Sequence, residues 1–186
     1  MVLLNSKMVP IGKEAYDFSL IGTDEKTYSL ESFIDKKVLV IIFMCNHCPY
    51  VKATIGRLID IQKDYDDKGV QLVGINSNDE INYPDDSFEN MKSAFKDKGI
   101  NFPYLRDDTQ DTARKYDAVC TPDIYLYGPE RKLLYRGRID DNWQDETKVT
   151  RKDLRGAIDT VLEDRPVSDE QYPSMGCSIK WKSEGN

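Results

Sequence analysis

Two apolar runs are the strongest feature of the hydrophobic pattern along the chain. They cover residues 38–43, VLVIIF, and residues 70–75, VQLVGI. Runs of this length that are rich in β-branched residues are typical of strands buried on both faces of a sheet. Between them, apolar and charged residues alternate at nearly helical spacing from Pro49 to about Lys68, where Gly69 can cap the helix. The pattern therefore predicts a right-handed strand–helix–strand unit.

The rest of the chain carries shorter patterns of the same two kinds. Turn residues between apolar segments indicate hairpins, and apolar residues at helical spacing indicate helices. The predicted elements are, in chain order, a hairpin with a brief helical turn within residues 11–34, a helix from about residue 88 to Gly99, a small helix from Asp108 or Thr109 to about Tyr116, a hairpin over residues 124–135, and a helix that begins with a capping box at Thr150–Asp153. Beyond Arg165 the chain turns polar, and we expect an irregular tail.

The length of the chain indicates how these elements are organised. With 186 residues, the chain fits one domain. A chain of this size buries about 70% of its unfolded surface, so it needs no disulfides in order to fold. We predict a domain over residues 1–165 and a C-terminal tail over residues 166–186 that packs on it.

Two of the four cysteines, Cys45 and Cys48, lie where the first buried strand gives way to the helix. Unpaired N–H groups and the dipole at a helix start favour an anion, so we expect Cys45 to ionise more readily than an ordinary thiol. The spacing lets Cys48 attack a mixed disulfide formed at Cys45. His47, between them, can add positive charge or a hydrogen bond that tunes the thiolate. A CxxC motif before a helix in an α/β pattern is typical of redox chemistry.

Charge and cysteine content narrow the class of protein further. The net charge of −7 argues against nucleic acid and anionic membranes as partners. No apolar run is long enough to cross a bilayer, and the first residues do not resemble a signal peptide. Four widely spread cysteines are too few for a disulfide scaffold. These features predict a cytoplasmic protein with no membrane partner.

The order of the predicted elements, with CxxC at the first strand–helix junction, resembles the thioredoxin fold, an α/β fold in which helices flank a central mixed sheet. The segment Val119–Asp123, VCTPD, strengthens the resemblance. In that superfamily a cis-proline precedes the fourth strand and lies against the CxxC. The resemblance implies that Thr121 and Pro122 expose peptide groups with which a substrate strand can pair.

The longer layout resembles the redoxin branch of this superfamily, which includes the peroxiredoxins of the AhpC/TSA type. The N-terminal hairpin and the insert around residues 77–108 carry this resemblance. Residues 11–182 resemble in particular a peroxiredoxin-like group with a CNHCPY motif, a CTPD proline loop, a GRIDD-like segment and a GCSIKWK-like end. The chain departs from true peroxiredoxins, because neither cysteine follows their PxxxTxxC pattern and no arginine stands at their proline-loop position.

Motif and resemblance together predict a thiol–disulfide oxidoreductase. Cys45 attacks a substrate disulfide as a thiolate, and Cys48 resolves the mixed disulfide. His47 tunes the thiolate, while Thr121 and Pro122 present the substrate-binding edge. The expected partners are a disulfide or thiol substrate and an electron donor of the thioredoxin or glutathione type. No metal or organic cofactor is expected, because disulfide exchange needs only thiols and access.

Two other functions stay open at the level of the sequence. The first is an antioxidant, thiol-dependent peroxidase in which Cys45 or Cys48 is oxidised to sulfenic acid. The second is a metal-binding protein in which the thiolates of all four cysteines form a metal site or metal carrier.

Cys120 and Cys177 are candidate auxiliary thiols. Cys120, two residues before the proline, either lies near the CxxC or is one of the buried cysteines common in protein cores. Cys177 lies in the tail and is either an incidental exposed thiol or a relay. We favour the relay, in which the tail folds back, with Tyr172 and Trp181 as apolar anchors, and offers this thiol to the site.

Overall fold

The computed structural model describes residues 3–183, which form a seven-stranded mixed sheet, a three-stranded sheet and four α-helices. The strands are β1 (Leu3–Asn5), β2 (Leu20–Gly22), β3 (Thr27–Tyr28), β4 (Val38–Phe43), β5 (Val70–Asn76), β6 (Tyr104–Arg106), β7 (Cys120–Thr121), β8 (Asp123–Tyr127), β9 (Leu133–Arg136) and β10 (Met175–Ser178). The helices are α1 (Pro49–Tyr65), α2 (Phe88–Asp97), α3 (Asp111–Lys115) and α4 (Asp153–Leu162). The predicted fold class, a central mixed sheet flanked by helices, is confirmed.

β4 is an interior strand of the larger sheet, whose order is β3-β2-β6-β5-β4-β8-β9. All of its residues are buried, as expected for a strand covered on both faces. β4 pairs in parallel with β5 and antiparallel with β8, so Phe43 lies opposite Ile75 on one side and Asp123 on the other. Because α1 connects β4 to β5, the predicted strand–helix–strand unit is confirmed.

Alternate residues of β4 face two separate cores. The even-numbered residues from Val38 to Ile42 pack with apolar side chains of α1, α2 and α4. The odd-numbered residues from Leu39 to Phe43 pack with α3 and with the N-terminal segment around Phe18. A fully buried aliphatic side chain contributes about 1.5–3 kcal/mol, so β4 is anchored from both sides. The loop that follows it therefore starts from a rigid base.

One helix end agrees with the sequence pattern and one helix start does not. After α1, a 3-10 turn stops at Gly69, whose φ of 80° suits glycine, as predicted. The predicted capping box at the start of α4 is wrong. Lys152 is the N-cap of that helix, and Thr150 instead hydrogen-bonds Asp141.

No helix within residues 3–183 is long and apolar enough to span a membrane.

The start of α3 also differs from the prediction. Gln110 is its N-cap residue, in a left-handed conformation with φ of 66°. The N–H of the first helical residue, Asp111, donates to Thr109 Oγ1, and the N–H groups of Thr112 and Ala113 donate to the Asp107 carboxylate. The N-cap position is therefore Gln110 rather than the predicted Asp108 or Thr109, but the Thr109 hydroxyl does accept from the helix start, together with the Asp107 carboxylate.

The C-terminal tail contains a strand that the sequence pattern does not predict. β10 pairs antiparallel with β1 on one side and with β7 on the other, forming the smaller sheet. Cys177 lies opposite Leu3 in one ladder and opposite Thr121 in the other. The expectation of an irregular tail is wrong for residues 175–178, while the domain boundary after residue 165 stays a prediction.

Candidate active site

The CxxC loop joins the end of β4 to the start of α1. β4 ends at Phe43, and Cys48 is the N-cap of α1 with Pro49 in the first helical position. Proline is favoured there because an N–H at that position has no partner within the helix. Cys48, rather than Cys45, therefore stands at the helix start, where the helix dipole favours an anion.

The loop around Thr121 and Pro122 lies directly against the CxxC motif. The peptide bond between these two residues is cis, as the resemblance implies. Cys45 Sγ lies 3.4 Å from Thr121 Oγ1, and Cys48 Sγ lies 3.1 Å from the Thr121 carbonyl oxygen. Residues that are far apart in the sequence are thus brought together at the edge of the sheet where β4 ends.

Both sulfurs of the motif are shielded from solvent in this structure. Cys45 is 1% exposed, Cys48 is 0% exposed and Thr121 is 3% exposed. The mechanism predicted from the sequence requires a substrate to reach these thiols directly. That requirement is not met in this arrangement of the chain, in which Cys177 of β10 lies against Cys48 and Thr121 lies against Cys45.

β10 covers the edge that the resemblance assigns to a substrate strand. Cys177 pairs with Thr121 in the antiparallel ladder between β10 and β7. A Cβ added to Gly176 would lie 2.0 Å from the Thr121 carbonyl oxygen, so only glycine allows the two backbones to approach this closely. The predicted substrate edge at Thr121 is therefore occupied by the chain itself, which corrects the expectation that it stands free.

Cys177 reaches the CxxC motif through this pairing. Its Sγ lies 3.1 Å from Cys48 Sγ, and the residue is 1% exposed. Of the two interpretations of Cys177, the favoured one, in which the tail folds back onto the motif, describes the structure, and the exposed thiol is wrong. The two expected anchors, Tyr172 and Trp181, each lie against an arginine guanidinium.

The thiols of the motif differ in pKa, in the order opposite to the predicted one. Hydrogen bonds lower the pKa of Cys48 to about 4, first from Cys45 and then from Cys177 and Thr121, although burial opposes the shift. Burial raises the pKa of Cys45 well above its usual 9.0, and its hydrogen bond to Cys48 and the Asp86 carboxylate add to this effect. Burial also raises the pKa of Cys177 to about 12. These shifts favour Cys48 over Cys45 and Cys177 as the thiol that ionises first.

His47 is held by a buried carboxylate that sequence reasoning missed. Its Nδ1 lies 2.5 Å from Oδ2 of Asp86, a residue with 0% exposure. This hydrogen bond raises the pKa of His47. Burial acts to raise the pKa of Asp86, but hydrogen bonds from His47, Asn78 and the Asn46 backbone outweigh it, and the pKa is lowered. Both shifts favour an ion pair between His47 and Asp86.

Asp86 also fixes the backbone of the CxxC loop. The N–H of Asn46 donates to Asp86 Oδ1 at 2.6 Å, and Asn78 Nδ2 donates to Asp86 Oδ2 at 2.7 Å. The polar run NSND at residues 76–79 is the sequence signal for this network. It comes at the end of β5, and the carboxyl ends of parallel neighbours β4 and β5 meet at one edge of the sheet.

Cys45, His47 and Asp86 form the one group of three potential metal ligands within residues 3–183. Their ligand atoms all lie within 4.8 Å of one another. The group does not include the other three cysteines, so the predicted four-thiolate metal site is not assembled in the described part of the chain. Within the group, His47 Nδ1 and one Asp86 oxygen already hydrogen-bond each other.

Cys120 faces away from the CxxC. Neighbouring residues of a strand point to opposite faces, and the Thr121 side chain points to Cys45. The Cys120 thiol is buried and lies 3.8 Å from the Pro122 carbonyl oxygen. Burial raises the pKa of Cys120 far above its usual 9.0. Of the two alternatives for this residue, the structure favours a buried core thiol.

A buried ion pair lies beside the proline loop. Arg136 Nη2 and Asp123 Oδ2 are 3.1 Å apart, and neither side chain has any exposed surface. Arg136 also donates to the Asp117 carbonyl oxygen and lies over the ring of Tyr125. Among residues 3–183, the hydrogen-bond partners of the Cys45 and Cys48 sulfurs include no arginine, in agreement with the departure from the peroxiredoxin pattern seen in the sequence.

One side of the proline loop faces a cavity of about 290 Å³. Pro122, Trp143 and Met175 line it, together with Asp140. Asp140 is fixed in this wall because both of its carboxylate oxygens accept hydrogen bonds from Arg57 Nη1, at 2.9 and 2.7 Å. The cavity therefore gives the proline loop an open side next to β10.

Similar solved structures include two that share nearly the whole chain. A conserved protein from Geobacillus kaustophilus is 45% identical with a TM-score of 0.95, and the match covers 100% of this chain and 99% of that one. A protein from Sinorhizobium meliloti is 38% identical with a TM-score of 0.93, over 97% of this chain and 99% of that one. The thioredoxin domain of a thiol-disulfide oxidoreductase from Bacteroides vulgatus is 21% identical with a TM-score of 0.60, over 69% of this chain and 89% of that one, and shows the fold alone.

Comparison of the sequence with family models identifies the family of the chain. Comparison with curated proteins gave no significant match. The sequence model of the AhpC/TSA family matches residues 11–136, which include the CxxC motif, Asp86 and the proline loop. The chain therefore belongs to the AhpC/TSA family, in the redoxin branch of the thioredoxin superfamily.

Proposed function

We propose that the protein is a thiol–disulfide oxidoreductase whose redox pair is Cys45 and Cys48. One observation carries the proposal: the sulfurs of both cysteines contact the same residue, Thr121 of the cis-proline loop, where the loop from β4 enters α1. Thiols in contact can exchange with an external disulfide through a mixed disulfide and then close into a disulfide of their own. The membership of the AhpC/TSA family supports redox chemistry at a cysteine.

In this proposal Cys48 attacks and Cys45 resolves, which reverses the roles predicted from the sequence. The thiolate is the nucleophile in disulfide exchange, and the lower pKa belongs to Cys48, at about 4. Cys48 forms a bond to one sulfur of the substrate disulfide and displaces the other as a thiolate. Cys45 then attacks Cys48, and the second substrate thiol leaves. The substrate gains two electrons and two protons, and the protein is oxidised by the same amount.

His47 and Asp86 have a positioning role on the Cys45 side of the loop. A His47 ring nitrogen and Cys45 Sγ lie within 4.8 Å of each other. A positive charge on the imidazole stabilises the anion that Cys45 becomes as it attacks Cys48. Asp86 holds the ring in place and keeps it charged, since its hydrogen bond raises the pKa of His47.

The proposed substrate is a disulfide, and the proposed electron donor is a thiol of the thioredoxin or glutathione type. A substrate reaches Cys48 when β10 leaves Thr121, whose backbone can then pair with it. The cavity beside Pro122 accommodates the adjoining part of the substrate. The exchange uses thiols alone, so the proposal involves no metal or organic cofactor. A cytoplasmic location stays a prediction.

Reaction of the reduced protein with glutathione disulfide tests the proposal. The experiment uses Cys177→Ser as the parent, so that only the CxxC thiols can react with each other. The parent is expected to release about two equivalents of glutathione, because attack and resolution each release one. Adding Cys45→Ser should leave about one equivalent released and a glutathione adduct on Cys48. Adding Cys48→Ser should abolish rapid release.

Circular dichroism and mass spectrometry of each variant serve as controls for folding and for the site of the adduct. A folded parent that releases no glutathione would contradict the proposal. So would an adduct that forms on Cys45 at the parental rate when Cys48 is replaced.

A thiol-dependent peroxidase is the second candidate, favoured by the burial of the motif. Admitting hydrogen peroxide to thiols that are 0–1% exposed needs a much smaller opening of the site than admitting a protein disulfide does. Cys48 would become a sulfenic acid with release of water, and Cys45 would condense with it to form a disulfide. Rapid peroxide consumption by the Cys45→Ser, Cys177→Ser protein, with slow reaction toward glutathione disulfide, would favour this candidate.

A further inference from the structure

β10 is bound to the proline loop as a substrate strand would be. It runs antiparallel to β7, with Cys177 opposite Thr121 and Ser178 opposite Cys120. In recognition by strand addition, the backbone supplies the hydrogen bonds and a side chain is presented to the site. Here the side chain presented to Cys48 is itself a thiol.

Close approach of the backbones is built into the strand. Gly176 lies over the peptide between Thr121 and Pro122, and an added Cβ would meet the Thr121 oxygen at 2.0 Å, its carbonyl carbon at 2.5 Å and Pro122 N at 3.1 Å. These neighbours are backbone atoms that cannot turn away. Glycine at this position therefore lets the next residue, Cys177, reach Cys48.

Cys48 is in contact with two other thiols at once. Cys45 is its partner within the CxxC motif, and both sulfurs lie against Thr121. Cys177 Sγ approaches it to 3.1 Å from β10, which is about 1 Å more than the length of a disulfide bond. Cys48 is thus the shared member of two thiol pairs, one local in the sequence and one between distant segments.

We propose that Cys177 is a third redox thiol of this site and that Cys48 exchanges its disulfide partner between Cys45 and Cys177. The proposal rests on the proposed function, which supplies the oxidation of Cys48. It assigns the C-terminal strand the place of an internal substrate, covalently joined to the motif in one oxidised state of the protein.

The exchange balances without an additional oxidant. Starting from a disulfide between Cys45 and Cys48, the sulfur of Cys177 attacks Cys48. The bond between Cys45 and Cys48 breaks as the bond between Cys48 and Cys177 forms. Cys45 leaves as a thiolate and takes up the proton that Cys177 loses. In a protein whose Cys48 carries a mixed disulfide, the same attack by Cys177 releases the substrate thiol instead.

The decisive comparison is between Cys45→Ser and the Cys45→Ser, Cys177→Ser double variant, each in reaction with glutathione disulfide. If Cys177 attacks Cys48, the single variant releases about two equivalents of glutathione and the double variant about one. Peptide mapping after acid quench and thiol blocking should find a link between Cys48 and Cys177 in the single variant. Release of about one equivalent by both variants, with a stable adduct on Cys48, would overturn the proposal.

Gly176→Ala tests the same inference while keeping every thiol. Because the new Cβ would collide with the proline-loop backbone, β10 should be displaced. In the Cys45→Ser protein, Gly176→Ala should therefore abolish the link between Cys48 and Cys177. Gly156→Ala on α4, where an added Cβ meets nothing within 4 Å, is the matched control and should leave the link intact. A link that forms equally in both would contradict the role of β10.

Failure of this inference is distinguishable from failure of the proposed function. The proposed function is measured in Cys177→Ser protein, where only Cys45 can resolve Cys48. If that protein releases about two equivalents of glutathione while Cys45→Ser releases about one, the CxxC pair works and Cys177 does not. If Cys177→Ser releases none, the proposed function itself is wrong.

Discussion

The two sides of the CxxC loop give its two thiols opposite surroundings. On the Cys45 side lies a network of His47, Asp86 and asparagine side chains, whose one full negative charge is the buried carboxylate. On the Cys48 side lie the start of α1 and the thiol of Cys177. Burial and the carboxylate raise the pKa of Cys45, whereas hydrogen bonds lower that of Cys48 to about 4.

This contrast shows that the CxxC spacing does not decide which thiol is the nucleophile. The spacing places both sulfurs near a helix start, but only Cys48 is the N-cap residue. Asp86 comes from a segment about 40 residues further along the chain, and Cys177 from the far C-terminal strand. The charge on each thiol is therefore set by tertiary contacts that the motif alone does not contain.

The largest expected effect is on the thiolate signal of the reduced protein. Ultraviolet absorbance should report a thiolate that titrates near pH 4 and disappears in Cys48→Ser but persists in Cys45→Ser.

The same ionisation should make the stability of the protein depend on pH. The pKa of Cys48 in the folded protein, about 4, lies below the ordinary value of 9.0. Ionised Cys48 thus stabilises the fold fully above about pH 9, and this stabilisation is lost as pH falls towards 4. The free energy of unfolding of Cys48→Ser should lack this rise between acidic and alkaline pH.

The opposite result in the absorbance experiment would assign the lower pKa to Cys45 instead of Cys48. If the thiolate signal disappears in Cys45→Ser and persists in Cys48→Ser, Cys45 is the nucleophile, as the sequence alone predicts. Cys120→Ser, which removes a buried thiol outside the motif, controls for loss of a cysteine from the core.

A smaller effect is expected on stability when the carboxylate of the Cys45 side is removed. Asp86→Ala breaks a buried ion pair and leaves His47 and the Asn46 N–H without their acceptor. Loss of one partner of a buried pair costs about 3–5 kcal/mol. Urea unfolding of the reduced proteins should measure this loss. Asp85→Ala, which alters the exposed neighbouring side chain, is the control and should change the unfolding free energy by about 0.5 kcal/mol or less. If both variants lose the same unfolding free energy, the hydrogen bonds of Asp86 do not stabilise the protein.

Most of the sheet could be predicted from the sequence, because local pattern and tertiary environment agree there. The runs that became β4 and β5 are continuously apolar and are buried on both faces. The turn after α1 needs a left-handed residue, and Gly69 supplies it. β10 is different, since Met175–Ser178 has no β-branched residue and no alternating pattern. It is a strand because β1 and β7 pair with it, which is a tertiary effect on a segment with little strand preference of its own.

The candidate site was predictable where its residues share a motif and not where they meet by folding. CxxC before a helix and the Thr121-Pro122 loop could be recognised from residue type and order. Asp86 could not, because a carboxylate in a polar segment reads as solvated until the fold buries it beside His47. The contact between β10 and the CxxC motif could not be predicted for the same reason, since it depends on where the C-terminal strand lies in the fold.

The smallest expected effect is on the ionisation of His47, and it isolates the Cys45 side alone. His47 is the one histidine of the chain, so its imidazole signals in a nuclear magnetic resonance titration need no assignment by mutation. The hydrogen bond to Asp86 raises the pKa of His47, so the pair stabilises the fold below the unfolded value of 6.5 and this contribution is lost as pH rises through the folded pKa. Asp86→Asn keeps the size of the side chain but removes the charge, and the pKa of His47 should fall. Asp85→Asn should leave it unchanged. Equal titration curves in wild type and Asp86→Asn would mean that the carboxylate does not hold the imidazole charged, and the contrast between the two thiols would then rest on burial and on the contacts of Cys48.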